Sequence, residues 1–231
     1  MLPHLRGSAS SRKLRLFGCA CCRTIWELLP DDRCRRAVEV AELLADGLIS
    51  ASEAEAVGAL ASQVDHDTMP GVHPQIAWRA VNATSHLLPD SGENWQVWQV
   101  WGYVATAREG QLLIAEGASD EMLDTWSEQC GESGSPMGWT ATDPVAPLTT
   151  LLRCIFGNPF QPLVFAPHWR SETAVSLATG IYDERAFDRL PILADALEEA
   201  GCDKADVLAH CRGDGPHARG CWVVDGVLGR E

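Results

Sequence analysis

The chain has 231 residues, 46% of them apolar and 22% charged, a composition that can bury a sizeable core in one large domain or two small ones. A formal net charge of −14 argues against nucleic acid or an anionic membrane as the main partner, because both need compensating lysine and arginine. Nine cysteines, an odd number at irregular spacing, form no disulfide framework, and no apolar run approaches a membrane span, so reduced thiols in the cytoplasm are expected.

In chain order, residues 1–9 are expected to be loose. Leu14, Phe17, Cys21, Ile25 and Leu28 then fall on one face of a helix from Ser10 or Ser11 to about Leu29, ended by Pro30. Leu16-Phe-Gly-Cys19 has the look of a lipoprotein cleavage site, but Arg12, Lys13 and Arg15 stand where its apolar stretch should be. Residues 1–36 carry an excess of five positive charges on an acidic chain, a pattern read as a basic helix docked internally, with a nucleic-acid or partner patch as the alternative.

A second helix is expected over about Asp32 to Ala45, with Gly47 past its end, and a third from the capping box Ser50-Ala-Ser-Glu53 to about Val64. Asp65, His66, Asp67 and His73 invite a metal but fit no ligand spacing, so a solvated loop is the better reading. Helices follow over about Gln75 to Leu88 and Glu93 to Arg108. Trp78 and the stripe Trp95, Trp98 and Trp101 are read as core, since each indole hides a large apolar area; an exposed stripe would instead mark a partner groove.

A short helix over Asp120 to Gln129 leads into Gly131-Glu-Ser-Gly-Ser-Pro-Met-Gly, the expected flexible stretch. The organisation expected is therefore an N-terminal helical bundle over 1–130, a loop or linker over 131–143, and a C-terminal helical segment over 144–231 packed on the first as one globular unit. Pro144 starts the next helix, which Gly157 closes after Phe156. Prolines 159, 162 and 167 force an extended crossing that anchors Phe160, Val164 and Phe165.

Ser171 caps a helix to about Tyr182, and Pro191 opens one ended by Gly201. The last expected helix is capped by Asp203, begins at Lys204 and stops at Gly213. Cys221-Trp-Val-Val is too apolar to be exposed, so the chain returns to the core there. With no alternating pattern longer than a few residues, the fold class is all-α, an irregular multi-helix bundle with one extended proline-rich crossing.

Arg12-Lys-Leu-Arg-Leu-Phe-Gly-Cys-Ala-Cys-Cys-Arg23, Ile155-Phe-Gly-Asn-Pro-Phe-Gln-Pro162, Asp183 to Cys202, His210-Cys-Arg212 and His217-Ala-Arg-Gly-Cys-Trp-Val-Val-Asp225 together resemble a planctomycete-type bacterial family. Some of its members are fused to a repeat-companion domain or carry SMI1/KNR4-like names. The resemblance covers roughly half of the chain and implies no activity, cofactor or site residue. Two positions depart from the family's pattern: Cys154 replaces an acidic residue and Gly226 a large apolar one. The family's acidic, tryptophan-containing start is missing before Leu2, which implies a longer native N-terminus.

Chemistry concentrates at two places. Cys19 and Cys22 have the C-x-x-C spacing of redox pairs and zinc knuckles, but inside a helix rather than at its N-terminus after a strand. They supply two of the four ligands zinc needs, and His217 and Cys221, four residues apart, can supply the rest, with Cys211 as a spare. That set of Cys19, Cys22, His217 and Cys221 requires the first and last helices to be neighbours. The alternative is that His217 bonds a loop carbonyl while the cysteines simply pack.

An enzyme would use the same region differently. Cys211 or Cys221 would be the nucleophile, His217 or His210 its base, Asp225 the orienting carboxylate, and Arg212 or Arg219 the anion site. No nucleophile elbow, phosphate-cradling loop or H-E-x-x-H motif supports it. The function read from the sequence is therefore a cytoplasmic, non-enzymatic module that binds or regulates a protein partner, with a structural zinc. The alternative is a cysteine-dependent or metal-assisted hydrolase acting from the loop between His210 and Asp225.

Overall fold

A computed structural model describes residues 5, 9–64, 72–88, 96–131, 137–138 and 140–230, and these form eleven α-helices and no strand. They divide into two compact units, Leu14–Thr149 and a second that joins Met1–Lys13 to Thr150–Glu231. Arg12 and Lys13 belong to the second unit, where both pair with Asp225 near the chain's end. Residues 132–136 and 139 of the expected linker, residues 65–71 of the acidic loop, and Trp95 lie outside the described residues.

In the mid-chain unit, α1 (Ser11–Arg23) buries Leu16, Phe17, Cys19, Cys21 and Cys22. Gly18 lets this helix lie close to its neighbours, since a Cβ there would meet Leu87 Cδ2 at 2.8 Å. The helix ends before Pro30 in a tighter turn over Trp26–Leu28. Asp31 caps α2 (Asp32–Ala45) through Arg33 N at 2.8 Å. The capping box on α3 (Ala51–Ala61) forms as expected, with Ser50 Oγ accepting from Glu53 N and the Glu53 carboxylate from Ser50 N.

The ring of His73 caps α4 (Pro74–Ser85), accepting from Gln75 N at 3.4 Å. This helix pairs with α5 (Gln96–Ala115), and α6 (Asp120–Cys130) lies against both. The tryptophan stripe is only partly core: Trp78, Trp98 and Trp101 are half-buried, while Trp126 on α6 is fully enclosed. Gly110 makes room for it, as a Cβ there would sit 2.8 Å from the Trp126 ring, and the indole N–H donates to the buried Glu109 carboxylate at 2.9 Å.

In the unit that joins the two ends, α7 (Ala146–Phe156) supplies its residues from Thr150 onward. The proline-rich crossing follows and Phe165 anchors it as expected, but Phe160 and Val164 are exposed and Leu163 packs on the core in their place. The Phe165 ring occupies the volume beside Gly226, where any Cβ would collide with it, so here the aromatic fills the space a large residue at 226 would need. Ser171 caps α8 (Glu172–Glu184), and α9 (Leu190–Glu199) closes at Gly201, whose φ of +86° suits glycine.

α10 (Ala205–Arg212) starts one residue later than expected, with Lys204 rather than Asp203 at the cap position and no side-chain cap. The chain re-enters the core as α11 (Trp222–Leu228), with Val223, Val224 and Val227 fully buried, an element that its seven residues were too few to reveal as a period. Leu190, Leu193, Leu197, Ile181 and Val207 complete this core.

Candidate metal centre

Four segments of the same unit bring side chains to one point. Cys154 comes from the last turn of α7 and His210 from α10, His217 lies in the turn that follows, and Cys221 directly precedes α11. Each of the four offers one nitrogen or sulfur atom, and these atoms all lie within 4.8 Å of one another. His210 Nε2 is 3.2 Å from Cys221 Sγ, and His217 Nδ1 is 3.5 Å from Cys154 Sγ. Tetrahedral zinc, with bonds of about 2.0–2.3 Å, places its ligand atoms roughly 3.3–3.8 Å apart, so small rotations suffice to close the set.

The turn itself is built to hold the histidines. Gly213-Asp-Gly-Pro216 reverses the chain after α10, so that His217 returns with its ring edge-on to His210 at 4.9 Å. His217 Nε2 lies 3.3 Å from Gly213 O, which leaves Nδ1 directed at the sulfurs. A backbone carbonyl on the second ring nitrogen is the arrangement that fixes a ligating histidine's tautomer and orientation. Trp222 closes another side, 5.5 Å from the His210 ring.

The charges favour a cation at this point. Burial pushes the Cys221 thiol up, but hydrogen bonds from Cys154, His210 and His217 outweigh it and hold Cys221 well below the ordinary thiol range. Cys154 shifts the opposite way, first because its thiol donates to Cys221 and then because it is buried. Burial also works against a charged His217, yet its bonds to Cys221 raise it overall. A divalent ion at this point would take the place of the protons that these four groups share. Both sulfurs are enclosed, at 2% and 0% exposure, so four protein ligands can close the shell.

Of the expected ligands, His217 and Cys221 belong to this cluster, and the other two members are Cys154 and His210. Cys19 and Cys22 lie on α1 within the mid-chain unit, both buried, with Cys19 Sγ 3.8 Å from Val38 O. Burial pushes both thiols far up, the Glu42 carboxylate and Cys22 adding to it at Cys19, and neighbouring Cys21 and Cys34 at Cys22. Cys211 faces the core beside Cys202 and Cys221, because the residue after His210 points about a quarter-turn away on the same helix.

The residues of the enzyme reading are spread differently. Asp225 accepts from Arg12, pairs with Lys13 and does not orient a histidine. Arg212 pairs with Asp195 and Glu198 on the surface, while Arg219 donates to the carbonyls of Tyr182 and Asp183. Nothing in the local sequence around Cys154 marks it as a ligand, since its partners lie more than fifty residues away.

No protein-family model matches the chain, nor does any curated protein or solved structure. No helix among the described residues is long and apolar enough to cross a membrane.

Proposed function

We propose that Cys154, His210, His217 and Cys221 bind one zinc ion as a structural centre, and that the chain is a non-enzymatic helical module that binds or regulates a protein partner. The observation that carries the zinc proposal is the convergence of four nitrogen and sulfur donors from four segments within 4.8 Å. Two sulfurs with two imidazoles in a tetrahedral shell is a donor set that suits zinc over the oxygen-seeking magnesium and calcium. Enclosure of both thiols favours a structural over a catalytic ion, which would keep an open position for water. With that chemistry sealed and a net charge of −14, a protein surface is a better partner than nucleic acid.

The test is metal content of protein purified without a histidine tag. About one zinc per chain, lost with helical signal on chelation, is expected. Protein that neither carries zinc nor takes it up would falsify the proposal. The depressed Cys221 thiol beside two histidines favours thiol-based hydrolysis as a second reading. A single fast-alkylating thiol in the folded, metal-free chain, mapped to Cys221, would move the assignment there.

A further inference from the structure

A second charged cluster adjoins the four ligands. Asp225, 1% exposed, receives the Arg12 guanidinium at 2.7 and 3.2 Å and the Lys13 ammonium at 2.6 Å. Arg12 also donates to Tyr182 Oη at 2.9 Å. The Lys13 ammonium has two further acceptors, Gly220 O at 2.6 Å and Ile155 O at 3.2 Å. Its three N–H groups therefore meet three acceptors, which fixes its position.

The identity of those two carbonyls is what matters. Gly220 O belongs to the peptide bond that carries the amide nitrogen of Cys221, and Ile155 O belongs to the residue after Cys154. Lys13 therefore ties together the two strands of backbone that carry the two sulfurs. Asp225 completes the tie from the other side, since its own N–H donates to Cys221 O at 2.9 Å. The segments joined lie 142 and 207 residues from Lys13, so only the docked N-terminal segment brings this cation to the site.

We infer that Lys13 is a positioning residue of the metal centre, so that docking of the N-terminal segment and metal binding favour each other. This rests on the zinc site proposed above. Thermodynamic linkage makes the coupling reciprocal: a segment that tightens metal binding is itself held more firmly when metal is bound.

The experiment uses the full chain and Lys13→Met, stripped of metal and titrated with cobalt(II) and zinc(II) against a chromophoric chelator. Cobalt reports geometry through its visible absorption. Lys13→Met should show the same tetrahedral thiolate spectrum as the parent but bind both ions about 10–100-fold more weakly, as loss of a group that orients ligands does. The rise in melting temperature on adding zinc should shrink as well. Arg189→Ala, which removes an exposed pair with Glu184, should leave affinity unchanged.

Equal affinities in the parent and Lys13→Met, with the same zinc-induced rise in melting temperature, would overturn the inference even if the metal-free variant is less stable. A parent chain that takes up neither ion would overturn the zinc site itself, a distinguishable failure. Where Lys13→Met does not fold, the milder Lys13→Gln is titrated in the same way. The unmodified chain gives a further readout that no variant can spoil. Zinc should slow hydrogen exchange at the amides of residues 9–13, and unchanged exchange there would also count against the coupling.

Discussion

Two groups of buried cysteines meet opposite fates in this chain. Around α1, Cys19, Cys21 and Cys22 are wholly enclosed among apolar side chains, and burial drives all three thiols upward. Around Cys221, the same degree of enclosure is outweighed by two imidazoles and a donating thiol, and the group moves down. Burial alone therefore does not decide whether a cysteine behaves as a small hydrophobe or as a ligand. The partners decide: at Cys221 two imidazoles and a donating thiol outweigh burial, whereas Cys154, also within reach of His217, donates to Cys221 and moves up.

The sharpest way to break this contrast is to exchange the roles by mutation. Cys221→Ala removes a ligand and should abolish stoichiometric zinc binding, lowering affinity by more than about 100-fold, as read by metal content after desalting. Retained zinc in that variant, with loss in Cys19→Ala, would reverse the comparison.

Next in size is Asp225→Ala. It leaves Arg12 and Lys13 without their buried carboxylate and should cost about 3–5 kcal/mol in denaturant unfolding, the range for breaking a buried pair from one side. The loss should be greater in zinc-loaded than in metal-free protein, because Lys13 loses its anchor beside the ligands.

Cys22→Ala should cost about 1–2 kcal/mol through lost packing, at unchanged zinc stoichiometry. A drop in zinc content with this variant would bring α1 into the site after all.

The smallest effect belongs to Ser50→Ala, which removes the side-chain cap of α3 and should cost roughly 1 kcal/mol with or without zinc. The capping box also carries a pH dependence. Hydrogen bonds from Ser50 lower the Glu53 carboxyl, so its contribution is fully present above the unfolded-state pKa and is lost as pH falls through the folded one. Acid titration should therefore narrow the difference between parent and variant without closing it, since Ser50 Oγ still accepts from Glu53 N.

Local signals marked most helices well. Ser50 with Glu53, Ser171, Pro191 with Gly201, and the period of Asp32 to Ala45 each act within a few residues, and each appears where its chemistry requires. Failures came where distant contacts take over. Val164 is 87% exposed although apolar, because Phe165 takes the place beside Gly226. The fully enclosed indole is Trp126 rather than a member of the stripe, because Gly110 and Glu109 on another helix make its pocket.

Half of the candidate site was legible in the same local way. His217 and Cys221 sit in one pinned turn, and four residues of spacing suffice to put them near each other. The C-x-x-C pair at Cys19 and Cys22 looked like the natural complement, since proximity in sequence is the one measure of ligand spacing that a bare chain offers. Cys154 and His210 join instead through the packing of α7 and α10 against the final turn, a convergence over more than fifty residues that no motif encodes.

Composition and periodicity by themselves determined the helical class, the caps and the presence of nine thiols, because these depend on each residue's own chemistry and its near neighbours. Tertiary structure decided which thiol faces a histidine, which carboxylate receives Lys13, and which sulfurs can share an ion. Those outcomes depend on distances of 3–4 Å between residues remote in sequence, and only the folded chain sets such distances.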